Sequence, residues 1–205
     1  EALTFGAVWA AYIAERRQHW GALTLRDHAT MLDAGGKPKL RGQGLTKPAP
    51  LAPFAAMRLI DINADTVQAW AAQEGKTRPT RARLALNLLG GFFNWCNEST
   101  AYACLVPDKN PVQNKRAREL LGKTKAKQDA LLKEQLPAWF AAAKGLQTPA
   151  VSAYLQCLLL TGARPTELLQ LRWDDINTDW HSLSIRDKDE SKGGLDGRRI
   201  IPLTP

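Results

Sequence analysis

The stretch Leu160-Thr161-Gly162-Ala163-Arg164-Pro165-Thr166-Glu167-Leu168-Leu169-Gln170-Leu171-Arg172-Trp173-Asp174-Asp175-Ile176 decides how this chain is read. Its left end closes an apolar helix, and Gly162 is the residue type that most easily takes a left-handed C-cap. Pro165 suits the first position of a second helix, where its missing N–H has no partner to lose. Arg164 therefore falls at a corner between two helices. There its planar fork of donors can face outward and match a phosphate bidentately. Glu167, three residues on, is placed to brace that guanidinium or to cap the helix start. Taken without their surroundings, the same residues also read as a surface arginine at a helix N-terminus, where the helix dipole disfavours it.

C-terminal to this corner the pattern turns to strands. Leu183-Ser184-Ile185 and Arg199-Ile200-Ile201-Pro202-Leu203 have strand character, separated by the Gly-rich segment 192–197. Immediately before the corner, Leu131–Lys144 and Ala150–Thr161 read as amphipathic helices, and Pro165–Leu171 as a short one.

The N-terminal half is helical throughout. Phe5, Val8, Trp9, Tyr12 and Ile13 form a stripe of helical period behind an N-cap at Thr4, and a second helix is expected from Thr24 to Asp33. Residues 36–53, rich in Gly, Pro, Lys and Arg, read as a basic loop. Asn63 caps a helix with Val67 and Trp70 facing inward. Arg78-Pro79-Thr80 then opens the longest helix, reaching Glu98, with Leu84, Leu88, Leu89, Phe92, Phe93, Trp95 and Cys96 on its buried face. Gly90-Gly91 inside that pattern costs about 1 kcal/mol per Gly relative to Ala, so close approach of another helix is expected there. Asn110-Pro111 breaks the pattern, and the basic stretch after it, poor in apolar residues, reads as a linker. The expected organisation is mainly α: a helical domain at 1–114, a linker at 115–128, and an α+β domain at 129–205 that begins with helices and continues into a β-hairpin.

Bulk properties narrow the function. At 205 residues, 44% hydrophobic and 23% charged, the chain has the composition of a soluble globular protein. The longest apolar run, near Tyr154–Leu160, is interrupted by Gln156 and Cys157 and falls short of a membrane span. No signal-peptide pattern opens the chain, so a cytoplasmic, nucleoid-associated location is expected. Cys96, Cys104 and Cys157 lack metal-site spacing and read as buried free thiols; no cofactor or metal is expected. The net charge of +8 is unevenly placed. Residues 1–128 hold 19 Lys and Arg against 10 Asp and Glu, whereas residues 129–205 hold 9 against 10. That asymmetry points to a polyanion partner for the first half. The candidates for contacting it are Lys37, Lys39, Arg41 and Lys47 in the loop, Arg78, Arg81 and Arg83 at the start of the long helix, and Lys115, Arg116, Lys123, Lys125 and Lys127 in the linker.

The quoted string closely resembles the first arginine motif of the tyrosine recombinases of the phage-integrase type. In that motif a thr-gly-x-arg turn is followed by a glutamate three residues on and by a leu-x-trp-x-asp-ile run. Arg164, Glu167, Leu171, Trp173, Asp175 and Ile176 occupy those places. Downstream, Ser191-Lys192-Gly193-Gly194 and then Arg199-Ile200-Ile201-Pro202-Leu203 resemble the family's lysine hairpin and arg-x-x-pro-leu strand. Upstream, Thr4-Phe5, Leu59-x-Asp61-Ile62 and Phe92-Phe93-Asn94-Trp95-Cys96, leading to Asn110-Pro111-Val112, are similar to its helical, SAM-like core-binding domain.

The resemblance implies site-specific recombination of double-stranded DNA through a 3′-phosphotyrosyl intermediate, without metal or nucleotide, by protomers that assemble on DNA. Arg164 would stabilise charge on the phosphate and Lys192 would protonate the leaving 5′ oxygen, with Lys188 as competitor for that role. Glu167 would support Arg164. The family's his-x-x-arg motif and its tyrosine nucleophile have no counterpart here, since Tyr12, Tyr102 and Tyr154 all precede Arg164. The chain is thus expected to be a fragment that binds DNA without cutting it. Two other readings stay open: a non-catalytic DNA-binding relative (a regulator or excision accessory), and a helical protein-interaction module using Trp-rich faces. Core packing accounts better for the seven Trp.

Overall fold

The structure is a computed structural model, described here for residues 3–124, 126–127, 129–186 and 198–203. It divides into two compact units, 1–126 and 127–205.

Unit 1 is helical: α1 (Phe5–Arg16), α2 (Ala22–Thr30), α3 (Ala64–Thr77), α4 (Pro79–Glu98) and α5 (Lys115–Leu121), joined by short 3-10 turns. Local chemistry sets several boundaries. Thr4 caps α1 by accepting from the Ala7 N–H, and Asn63 caps α3 by accepting from the N–H groups of Asp65 and Thr66. Pro79 occupies the first turn of α4, where a missing N–H is tolerated. The inner faces meet in one core built around Phe5, Trp9, Phe92 and Phe93, with ring pairs such as Phe5–Phe92 (5.0 Å, edge-to-face). Leu84, Leu88 and Trp95 pack only partly against this core. Ala82, Ala85 and Leu86 are the buried neighbours on the same helix.

The basic loop is more ordered than its composition suggests. It folds back through a bridge between Pro38 and Leu45, and Gly36 N–H donates to the Thr46 carbonyl. Its far end enters the core through Leu51 and Phe54, both buried.

The linker expected at 115–128 begins as a helix. In α5, Ala117 and Leu121 are buried, and the helix packs closely on α3. Gly75 permits this, because a Cβ there would lie 2.7 Å from the Leu120 carbonyl oxygen. Two buried positions in a short, mostly charged helix are a weak sequence signal, and the partner surface on α3 is distant in the chain. The approach expected at Gly90-Gly91 is made by Val112 of a 3-10 turn and by the Tyr12 hydroxyl of α1.

Unit 2 carries α6 (Leu136–Lys144), α7 (Pro149–Thr161), α8 (Pro165–Leu169) and an antiparallel sheet in the order β1 (Ile176–Asn177), β2 (Ser182–Arg186), β3 (Arg198–Pro202). The short strand β1 adds a third member to the expected hairpin. The register pairs Leu183 with Ile201 and Ile185 with Arg199. Leu183 and Ile185 pack with Ala163 and Leu168, so the sheet's inner face rests on the corner that carries Arg164.

The three cysteines are free, but only Cys96 is buried; Cys104 is exposed and Cys157 intermediate. Burial pushes the Cys96 thiol up to about 12. The core-packing account of the tryptophans holds for Trp9 and Trp70 and fails for Trp173 and Trp180, which are exposed on unit 2.

His28 is nearly fully buried, stacked on Trp20 at 3.9 Å, with Nδ1 2.8 Å from the Thr24 carbonyl oxygen. Burial depresses its pKa below the usual 6.5, outweighing the Thr24 hydrogen bond and the charge of Asp27, which act the other way. The folded state therefore takes up its proton at lower pH than the unfolded chain. Stability from the neutral ring is complete above the unfolded pKa and is lost as the pH falls from there through the folded value. Urea midpoints of the wild type should drop between neutral pH and about pH 5, and in His28→Phe that drop should shrink.

Candidate functional site

The corner forms as its residues dictate. α7 ends where Thr161 Oγ1 donates to the Cys157 carbonyl (2.6 Å) and accepts from the Ala163 N–H (3.2 Å). Gly162 adopts φ 62° and ψ 17°, a left-handed cap that costs other residues roughly 1–2 kcal/mol. Arg164 is extended, and Pro165 opens α8. Tyr154 Oη donates back to the Pro165 carbonyl at 3.2 Å, tying α7 to α8.

Glu167 performs both functions considered for it. Its Oε2 accepts from the Arg164 backbone N–H at 2.8 Å, and its Oε1 accepts from Arg164 Nη1 at 2.7 Å. From β3, Arg199 Nη2 donates to Oε2 at 3.2 Å. The Glu167 side chain is 7% exposed, while that of Arg164 is 61% exposed. Burial pushes the carboxyl's pKa upward. The hydrogen bonds from the Arg164 N–H and guanidinium, with the charges of Arg164 and Arg199, more than offset this and hold it below the usual carboxylate range. Glu167 thus holds the guanidinium at its base.

A second motif carboxylate is treated similarly. Asp175, 6% exposed, accepts from the Arg172 N–H at 2.9 Å and lies 4.0 Å from Arg198 Nη1. The two arginines of β3 thereby meet the motif's two buried carboxylates. Arg199 reads from sequence only as part of a strand pattern; the signal for its role is a pair of cations at a strand start beside two acidic motif positions.

The basic candidates divide by position along the chain. Arg78 holds both oxygens of the buried Glu74 and donates from Nη1 to the Pro48 carbonyl at 2.6 Å. Arg81 reaches Asp27 (3.3 Å) and Thr30 (3.1 Å) on α2, and Arg83 reaches the Leu121 carbonyl at the end of α5 (2.8 Å). These three act as internal clamps, of which only the Arg78–Glu74 pair, four residues apart, is local in sequence. Lys37 pairs with Asp33 at 2.7 Å, and Lys115 sits 3.9 Å from Glu119. Among the described residues, the side chains of Lys39, Arg41, Lys47, Arg116, Lys123 and Lys127 are exposed and make no ion pair. Arg118, not singled out from the sequence, joins Arg83, Lys115 and Lys123 around a cleft of about 630 Å³ floored by Leu86 and Leu121. Lys125, Lys188 and Lys192 lie outside the described residues.

Among the described residues there is no cluster of metal-ligating side chains and no helix long and apolar enough to cross a membrane.

An all-helical unit followed by an arginine corner and a small antiparallel sheet defines a class of protein that the comparisons place. The pattern of the phage integrase core-binding domain matches residues 4–119, ending inside α5. The prophage integrase IntF of Escherichia coli (strain K12) is 39% identical over 212 residues, which cover 99% of this chain and 44% of that protein. The chain therefore spans less than half the length of the curated relative it matches. Two structures of the Tn1549 transposon integrase share the fold. One, in complex with a circular intermediate DNA, has a TM-score of 0.67 at 15% identity over 99% of this chain and 62% of that one. The other, in complex with transposon right end DNA, has a TM-score of 0.65 at 14% identity over 99% and 58%. The chain belongs to the phage-integrase family of tyrosine recombinases.

The clamp role of Arg78 has a direct check. Arg78→Ala strands the Glu74 carboxylate, and the midpoint of urea unfolding should report a loss of roughly 1–3 kcal/mol.

Proposed function

We propose that this chain grips double-stranded DNA and presents Arg164 to a backbone phosphate, as part of an integrase that recombines DNA through a 3′-phosphotyrosyl intermediate. The observation that carries the reading is the Arg164 guanidinium, fixed at its base by Glu167 yet 61% exposed. A cation held in this way meets developing charge without having to reorganise first. Lys192, in the segment between β2 and β3, is the proposed general acid, with Lys188 as its competitor. Glu167 supports Arg164 and does not react. No metal or nucleotide is required, because the phosphotyrosyl bond retains the energy of the bond it replaces. The full-length protein acts as a homo-oligomer on DNA, in the cytoplasm at the nucleoid.

The helical unit supplies the grip. Its solvated cations, Lys39, Arg41 and Lys47 in the loop and Arg116 and Lys123 beyond α4, suit contacts to the phosphate backbone, as does Lys127 just past it. Such contacts position a duplex without reading it. The solved Tn1549 relatives were captured on DNA, which supports the same partner here.

Two measurements test this. Affinity for duplex DNA should fall steeply with salt, with log K losing about 0.9 per phosphate contact for each decade of salt. Replacing Lys39, Arg41 and Lys47 together by Gln should flatten that slope, and a salt-insensitive affinity would overturn the reading. The 205-residue chain alone should form no covalent adduct with cognate DNA on a denaturing gel. Appearance of such an adduct would reassign the nucleophile to one of the tyrosines before Arg164.

A further inference from the structure

The basic loop of unit 1 serves the reading above only as a carrier of cations, yet it is built with more order than that task needs. Between Gly36 and Lys47 it forms a two-limbed finger. Lys39 N–H donates to the Gly44 carbonyl at 3.1 Å, Thr46 N–H donates to the Lys37 carbonyl at 2.8 Å, and Pro38 faces Leu45 across the bridge. Its root is fixed. Gly35, at φ 74°, runs so close to the returning limb that a Cβ would lie 2.7 Å from the Lys47 carbonyl carbon. The Ala49 and Leu51 N–H groups donate to the carbonyls of Asp33 (2.7 Å) and Met31 (3.1 Å), and Arg78 ties Pro48 to α4.

What this frame holds out is Leu40, which is 104% exposed. A lone exposed leucine is ordinary on a protein surface, and Leu23 on α2, 61% exposed, is one. The setting of Leu40 is different. It stands at the tip of a braced finger between the exposed cations Lys39 and Arg41, and no Asp or Glu occurs in the chain between Asp33 and Asp61. Gly42 and Gly44 complete the tip at φ 79° and 90°, with open space where a Cβ would stand. The tip is therefore slim, carries one apolar side chain and is flanked by positive charge. The minor groove of duplex DNA complements all three features: it is narrow, strongly negative, and admits an apolar side chain between base steps.

We propose that the finger enters the minor groove of duplex DNA and that Leu40 wedges against a base step and bends the duplex, with Lys39 and Arg41 at the groove's phosphate walls. The inference rests on the reading of unit 1 as a DNA grip. It adds a contact that neutralises no phosphate, so the wedge contributes affinity without counterion release. Its cost is partial unstacking, which is least at flexible pyrimidine–purine steps.

The test uses the whole chain on a short duplex with donor and acceptor dyes at its ends and TA steps at its centre. Affinity and end-to-end energy transfer are read together. Wild type should raise the transfer on binding. Leu40→Gln should lose that rise and bind about tenfold more weakly, with an unchanged salt slope because no cation is removed. Leu40→Met should keep both properties, and Leu23→Gln should match wild type. Netropsin, which fills the minor groove at A·T pairs, should bring wild type down to the level of Leu40→Gln.

A Leu40→Gln chain that binds and bends like wild type overturns the inference and leaves the tip to solvent or to a protein surface. Equal losses in Leu23→Gln, or wild-type bending that survives netropsin, overturn it as well. In each of these cases the DNA grip stands as long as joint replacement of Lys39, Arg41 and Lys47 by Gln flattens the salt slope. If that replacement leaves the slope unchanged, the loop is no part of the grip and the wedge falls with it.

Discussion

One carboxylate organises unit 2. Glu167 is almost wholly withdrawn from water, and a buried charge is tolerated only when its oxygens are occupied and its charge is balanced. Both oxygens are taken by donors from two places in the chain: the turn that ends α7 and the strand that closes the sheet. The corner geometry, the start of α8 and the seating of β3 are therefore one arrangement. Gly162 makes it accessible, because only a left-handed residue lets the chain reverse within two positions and deliver Arg164 to the first turn of the next helix.

In unit 1 the corresponding constraint is how its excess positive charge is distributed. Pairing does not change the net charge; it fixes where the surplus resides. Arg78, Arg81 and Arg83 spend their forked donors on Glu74, Asp27 and backbone carbonyls, joining α4 to α2, to α5 and to the loop at Pro48. A planar fork with several fixed donors is suited to such clamps, whereas an ammonium on a flexible stem keeps its hydration more readily. The loop lysines Lys39 and Lys47 and the α5 flank remain solvated. The surplus that a polyanion would meet is thus displaced from the start of the long helix, where counting charges had placed part of it, toward the loop and the end of α5.

How much of this was legible in the sequence follows the range of the interactions. Thr4, Asn63, Gly162 and Glu167 were readable because each acts on a backbone group within a few residues. The quoted string likewise announced its corner. What escaped notice depended on distant partners. α5 read as a linker because its burial is decided by Gly75 and the face of α3, not by its own composition. The arginine clamps to Pro48, Leu121, Thr30 and Asp27 bridge from 30 to 54 residues, beyond any local pattern. Trp173 and Trp180 looked like core residues by type and are exposed, since aromatic identity alone does not fix burial. Arg199 was visible as part of a strand motif, but its role depends on which face of β3 it occupies, and that is settled only by the pairing register with Ile185.

On the proposed function, the two uses of positive charge follow different physical demands. Neutralising phosphates along a duplex requires only that cations be near and mobile enough to follow the backbone, and solvated lysines on a loop satisfy that. Stabilising charge that appears on one phosphate during reaction requires a donor already in position, because reorganising a flexible group at that moment would forfeit most of its benefit. A rigid arginine is obtained by binding its base to a carboxylate, and that same carboxylate tends to cancel the charge it holds in place. Arg199 of β3 holds the far oxygen of the same carboxylate. That pairing is why a cation is accepted on the inner face of the strand: the carboxylate supplies the counter-charge that a guanidinium there requires.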